Sequence, residues 1–385
     1  MFFYAKDDTI INNKRGLNML YKYNKESNLV TISNSILKHF TGIQLNKTCR
    51  ELDTILEKKE YKKIVVMLFD GLGASIREKH LSENDFLRKR EKITISSVFP
   101  PTTVAATTSF LSGLYPSQNG WLGWQQYFKQ HDLIIEMFTN VNPLTREKIN
   151  PPYLSSLYCG YTSILDLINS NSNTKAYSLY PDKIDPKGAK DLNDFFTLAD
   201  KMMKKDESHF IYMYWPEPDS LIHEFGTNHY YIRSNVKKIN QMVQKLAKSN
   251  KDNLILVLAD HSLVDTKFFY TFEHDDFSAC LKTITSLDSR SSFFHVKPDK
   301  INEFPLLFDK YYGKFFVLKS KEEVINEEWF GPKEYHPLFN DFIGDFMATS
   351  ISEYGFTNYQ EETFIGAHAG STKEESLINI SIINQ

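Results

Sequence analysis

Three uninterrupted apolar runs organise the chain. Residues 62–70 read KKIVVMLFD, residues 209–215 read HFIYMYW and residues 253–260 read NLILVLAD. Runs of this length with no polar alternation predict strands buried on both faces, as in a parallel sheet. Helical patterns lie between them, notably Thr103 to Ser112 and Tyr231 to Ser249, and another, Ser33 to Phe40, falls in the polar first 60 residues. Strands alternating with helices predict an open α/β sheet. The segment INSNSNTK, 168–175, reads as a surface turn. FFHVK (293–297) and KFFVL (314–318) flank a helical stretch, which predicts a small strand–helix–strand insert over 290–330 within one domain spanning 1–385. The run FIGDFMATS, 342–350, is expected to return to the main body.

Composition narrows the function. The chain has 385 residues, of which 41% are apolar, 14% aromatic and 24% charged, the balance of a globular protein with a large core. A net charge of −3 gives no nucleic-acid footprint. No apolar run approaches the roughly 18 residues of a membrane span, so neither a nucleic-acid polymer nor a membrane is an expected partner. Cys49, Cys159 and Cys280 are too few and too scattered for a disulfide framework or a thiolate zinc site. The start, MFFYAKDDTI, lacks a basic stretch followed by an apolar one, and a cytoplasmic location is the expectation.

Each strongly apolar strand leads into acidic or acidic-histidine groups. Asp70 ends the first, Asp219 and His223 follow the second, and Asp260 and His261 end the third. Ligands of open α/β sheets bind beyond the carboxyl ends of strands, so these residues are candidates for one rim. Asp219 and His223 are spaced to share a helix face. Carboxylate oxygen with imidazole nitrogen suits Zn²⁺ or Mn²⁺ rather than Ca²⁺. His368, between Gly366 and Gly370, adds a further imidazole. Any one such Asp is more often a turn residue or cap; recurrence at successive strand ends favours a site.

The segment FPPTTVAATTSFLSGLYPSQNG, 99–120, predicts an extended approach through Pro100 and Pro101 and a helix starting near Thr102 or Thr103. A threonine cap is the ordinary use of such a residue. At a helix start it also puts a hydroxyl where backbone N–H groups favour an anion such as phosphate.

In this order, FDGLG (69–73), FPPTT…SGLYPSQNG (99–120), EPDSLIHEFG (217–226), ADH (259–261) and GAH (366–368) resemble the nucleotide pyrophosphatase/phosphodiesterase branch of the alkaline phosphatase superfamily. The resemblance implies an alkaline-phosphatase-like, mostly parallel sheet flanked by helices. It also implies two divalent metal ions, zinc with manganese as the alternative. One ion would be held by Asp70, Thr103, Asp260 and His261, and the other by Asp219, His223 and His368. Thr103 would attack phosphorus and form a covalent intermediate; spacing to Gly113-Leu114 selects it, with Thr102 in reserve. The implied substrate is a small phosphodiester, phosphoanhydride or nucleotide. Phosphomonoester or phosphonate hydrolysis is the alternative within the superfamily, and a metal- or phosphate-binding protein without turnover is the alternative outside it.

The chain departs from the family pattern at three places. Ala106 stands where an Asn usually contacts the phosphoryl oxygens, a donor worth ~3 kcal/mol. Ser262-Leu263 replaces Gly-Met after Asp-His, and Ala369 replaces Gly after His368. No Lys or Arg occurs within 99–120, which leans toward diesters. Trp121, Trp124 and Tyr127 follow the Thr103 helix, with packing as their expected role and stacking on a leaving group as the alternative.

Overall fold

The computed structural model describes residues 10–11, 20–361 and 364–384. Its main sheet has six strands in the order Glu91–Ser96, Leu377–Ile383, Leu254–Leu258, Lys63–Phe69, His209–Trp215 and Lys175–Leu179. Only Leu377–Ile383 runs antiparallel to its neighbours. The three apolar runs pair side by side in the middle, Val66 opposite both Tyr212 and Leu256. Their central residues are fully buried, which is why these strands carry no polar alternation.

Helices flank this sheet. Leu29–Thr41 packs with Thr103–Ser112 and Ile164–Asn171, and Tyr230–Ser249 packs with Ala74–His80 and Leu192–Met203. Asn28 caps Leu29–Thr41, its side chain accepting from the amides of Val30 and Thr31. Helix Ile164–Asn171 runs through the first half of the expected 168–175 turn, which is confined to the residues after it. The cysteines are buried and free. Among the described residues no helix is long and apolar enough to cross a membrane.

A second, antiparallel sheet has the order Phe316–Ser320, Phe346–Ser350, Ser291–Phe294, Ser286–Leu287, Gln125–Phe128 and Leu133–Glu136. The run at 342–350 packs Phe342, Ile343 and Met347 into the main core, but its strand belongs to this second sheet. Phe346–Ser350 lies between the two strands of the 290–330 segment and pairs with both. Behind them Phe277, Phe294, Phe304, Phe308, Tyr312, Phe316 and Phe356 form a separate aromatic core. Such rings gain from edge and offset contacts beyond the area they bury.

Strand direction determines what reaches the rim of the main sheet. The carboxyl ends of Lys63–Phe69, His209–Trp215 and Leu254–Leu258 point the same way, and Glu91–Ser96 also leads toward that rim. Leu377–Ile383, running in reverse, begins there. Residues following four strands and preceding a fifth thus meet on one edge.

Candidate active site

Asp70 follows the last residue of its strand. Its amide donates to Trp215 O (2.9 Å), and the Asp219 amide donates to Asp70 O (3.1 Å), which fixes the two turns together. Close approach requires Gly71. Its φ is +69°, and a Cβ there would lie 2.6 Å from Leu263 Cδ1 and 3.0 Å from Asp219 Cα. Gly366 does the same for the loop carrying His368: a Cβ would lie 2.7 Å from Ile222 O.

Asp219 opens the helix Asp219–Phe225, and His223 lies one turn on, its Nε2 3.2 Å from Asp219 Oδ2. His223 Nδ1 donates to Gly366 O (2.7 Å), so Nε2, now against Asp219, is the nitrogen that would ligate a cation on losing its proton. His368 Nε2 is 3.9 Å from Asp219 Oδ1. On the other side, His261 Nε2 lies 3.4 Å from Asp70 Oδ1 and 3.6 Å from Asp260 Oδ2, with His261 Nδ1 against Ser262 O (3.2 Å). The His261 and His368 rings are 4.0 Å apart between centroids. Ligand atoms of Asp219, His223 and His368 lie within 4.8 Å of one another, and so do those of Asp70, Asp219 and His261. All seven sequence candidates are therefore together. Asp219 reaches both groups, whereas the sequence reading gave it to one.

Thr103 is the first residue of the helix Thr103–Ser112. Its Oγ1 lies 3.1 Å from His261 Nε2 and 3.3 Å from Asp70 Oδ2. Thr102 occupies the cap position but does not cap; its hydroxyl donates to Asp288 Oδ2 (2.7 Å). The first turn is thereby left without a side-chain cap. Ala106 is wholly buried, so that position offers nothing to the cavity.

The electrostatics are those of a site short of positive charge. Burial, then the charges of Asp260 and Asp219, push the Asp70 pKa well up, against a hydrogen bond from Tyr214. Burial and Asp219 raise Asp260 to about 7. Burial drives His261 down to about 3 and His368 well below its ordinary value. Burial also disfavours the His223 cation, but Asp219 beside it outweighs this and lifts its pKa to about 9. Asp219 Oδ1, Asp260 Oδ2 and His368 Nδ1 are buried with no hydrogen-bond partner. Orphaned carboxylate oxygens and an imidazole nitrogen beside neutral histidines are a donor set that fits divalent cations of the zinc type.

A cavity of about 690 Å³ opens over Thr103, Asp219, His223 and His368. The second sheet contributes Gln125, Glu136 and Ser286 to its wall. Trp124 lines it, whereas Trp121 packs against Phe138 and Tyr161, and Tyr127 against His295. Arg146, from a loop outside the sequence motifs, is the only Lys or Arg among the described lining residues, and it is paired with buried Glu136.

Sequence reasoning missed three supports. Tyr214 donates to Asp70 Oδ2 at 2.5 Å; a tyrosine in a strand buried on both faces needs such a partner, and that was the available signal. Asp288 and the buried pair Arg290–Glu375 had none. Arg290 Nε and Nη2 donate to Glu375 Oε1 (2.7 Å) and Oε2 (2.9 Å). Glu375 Oε1 also accepts from the Gly370 amide (2.7 Å), which anchors the loop after His368.

A family profile described as type I phosphodiesterase / nucleotide pyrophosphatase matches residues 64–372. No curated protein matches the chain by sequence. Among solved structures, murine ectonucleotide pyrophosphatase/phosphodiesterase 5, an inactive variant in complex with AMP, superposes with a TM-score of 0.62 at 15% identity, covering 83% of this chain and 87% of that one. The human counterpart gives 0.63 at 15% identity, over 84% and 88%. Phosphonoacetate hydrolase from Sinorhizobium meliloti, in complex with phosphonoformate, gives 0.63 at 12% identity, over 84% and 90%. At these identities the likeness is one of fold.

Proposed function

The chain belongs to the type I phosphodiesterase / nucleotide pyrophosphatase family, and from that premise we propose that it hydrolyses small phosphodiesters or phosphoanhydrides, with Thr103 as the nucleophile. The observation that carries this reading is the Thr103 hydroxyl, 3.1 Å from His261 Nε2 and 3.3 Å from Asp70 Oδ2 at the uncapped start of a helix. A purely cation-binding site has no use for a hydroxyl in that position.

Asp70, Thr103, Asp260 and His261 would hold one divalent cation and Asp219, His223 and His368 another, with Asp219 in reach of both. Bound there, the cations would supply the charge that acidifies a hydroxyl and neutralises phosphoryl oxygens. Thr103 Oγ1 forms a bond to phosphorus as the bond from phosphorus to the leaving oxygen breaks. Water then hydrolyses the phosphothreonine ester and restores the hydroxyl. First-turn amides of the Thr103 helix receive non-bridging oxygens, a role to which Ala106 adds no donor. Gly366 O orients His223 through Nδ1, and Tyr214 orients Asp70. The cavity has room for a second ester substituent, with Trp124, Phe356 and Phe364 as its apolar wall. The AMP complex of the murine protein supports a nucleoside phosphate as one portion of a substrate that the site would accommodate.

The test is hydrolysis of bis-p-nitrophenyl phosphate by protein stripped with a chelator and then reloaded with Zn²⁺ or Mn²⁺. Turnover is expected only after reloading. Tight metal binding with no cleavage of this diester, of p-nitrophenyl phosphate or of a nucleotide would replace the hydrolase reading with that of a binding protein.

A further inference from the structure

Asp288 is a charged group at the phosphoryl site that neither the family motifs nor the reaction above employs. It follows the short strand Ser286–Leu287 and lines the same cavity as Thr103, Asp219 and His223. Both its oxygens are held: Oδ2 accepts from Thr102 Oγ1 (2.7 Å) and Oδ1 from the Ser289 amide (2.8 Å). Thr102 immediately precedes the nucleophile candidate, so this carboxylate stands at the edge of the space where the phosphoryl oxygens would sit. Among the described lining residues compensation is small: Arg146 is tied to Glu136, no Lys or Arg lies in 99–120, and the nearby imidazole His223 is paired first with Asp219.

We propose that Asp288 is a specificity-determining residue that favours singly charged phosphodiesters over doubly charged phosphomonoesters by repelling the additional charge. The proposal rests on the phosphodiesterase reading and deepens it. Near neutral pH a diester carries one negative charge, whereas a monoester, with its second pKa near ~6, carries almost two. A fixed anion beside the site raises the energy of the second more than of the first, and that difference selects. Burial lifts Asp288 to about 6, so the group is ionised above neutral pH.

The experiment compares metal-loaded wild type with Asp288→Asn at about pH 8. It measures kcat/KM for p-nitrophenyl phosphate and for bis-p-nitrophenyl phosphate, and inorganic phosphate binding by calorimetry. Asn keeps the shape and a carbonyl acceptor, and each substrate serves as its own control between the two proteins. The monoester-to-diester ratio should rise roughly tenfold, which is about 1.4 kcal/mol, and phosphate should bind tighter by a similar factor. Asp288→Glu, which restores the charge, should return the ratio toward wild type. Asp288→Ser, a second neutral variant, should behave as Asn does and replaces it if Asn does not fold. An equal loss on both substrates would overturn the proposal and leave Asp288 as a prop for Thr102. A fall in the ratio would overturn it too, because the carboxylate would then be recruiting a cation that serves monoesters. If loaded wild type cleaves neither substrate, the hydrolase reading fails separately. Phosphate calorimetry still decides for Asp288, and unchanged affinity in the variant refutes its role.

Discussion

Replacing Asp70 with Asn should make the variant the more stable protein without metal and the less stable one with metal. Asp70 is buried with Asp219 and Asp260, and the ligand atoms of Asp70 and Asp219 lie within 4.8 Å. Asp70 Oδ1 and Asp260 Oδ2 are 3.4 Å and 3.6 Å from the same His261 nitrogen, so they are at most about 7 Å apart. At an effective dielectric of ~20, a like-charge pair about 7 Å apart costs about 2 kcal/mol and one about 5 Å apart about 3 kcal/mol. The Asp219 contribution is offset by His223, and proton uptake by Asp70 caps the total, so about 2 kcal/mol is the expected relief at about pH 8. Asn loses little else. Its carbonyl still accepts from Tyr214, and its NH₂ can donate to His261 Nε2, whose ring proton is held by Ser262 O. Without metal, then, Asp70→Asn should be the more stable protein by about 2 kcal/mol. With metal a hundredfold above its Kd, wild type gains about 2.7 kcal/mol for each filled site, and the variant forfeits one of these gains. Urea unfolding followed by tryptophan fluorescence, in chelator and in Zn²⁺, measures both arms. If Asp70→Asn lowers stability by about 1 kcal/mol or more in chelator, the carboxylates are not in electrostatic conflict, and the argument that the site is built for cations fails.

Thr103→Ala should cut diester turnover at least roughly a thousandfold while calorimetry still detects metal binding, and Thr102→Ala should retain most activity. The reverse pattern would move the nucleophile one residue back. Metal-free wild type should become more stable as pH falls from about 9 to about 7. Asp260, raised to about 7 from 3.8, destabilises the fold when ionised, and His223, raised from 6.5 to about 9, stabilises it when protonated. Below about 6.5 the depressed pKa values of His261 and His368 act the other way and are opposed by the raised Asp70 and Asp260, so stability should level off there; a rise in stability with pH between about 7 and 9 in thermal melts would contradict this. Glu375→Gln, which leaves Arg290 buried without its partner, should cost roughly 3–5 kcal/mol in urea unfolding and weaken metal binding through the His368 loop. A loss under about 1 kcal/mol would show that the pair is dispensable.

The site was legible because its ligands sit at strand ends, where the change from apolar run to Asp or Asp-His is visible in one dimension. The antiparallel reversal of Leu377–Ile383 was not visible, yet it explains how His368 joins residues that all follow parallel strands. The sheet that the run at 342–350 joins was not visible for a related reason. Apolar character marks Phe346–Ser350 as a strand but says nothing of its partners, which here are Ser291–Phe294 and Phe316–Ser320. Asp288 and Arg146 lie in loops without a motif, and only folding brings them beside Thr103. Tyr214 is the intermediate case: its strand was plain, and the partner of its hydroxyl required a neighbouring strand end.

The reversed strand Leu377–Ile383 has a consequence for biosynthesis. It separates Glu91–Ser96 from Leu254–Leu258, so the first must wait without a strand partner and the second with one edge open, until the sequence beyond residue 376 has left the ribosome. Such distant pairings are slow to form and leave sticky edges open meanwhile. His368 lies only a few residues before that strand, so the nascent polypeptide cannot assemble its full set of cation ligands before the sheet is ready to close. Clipping within 377–383 would unzip the sheet internally rather than trim it.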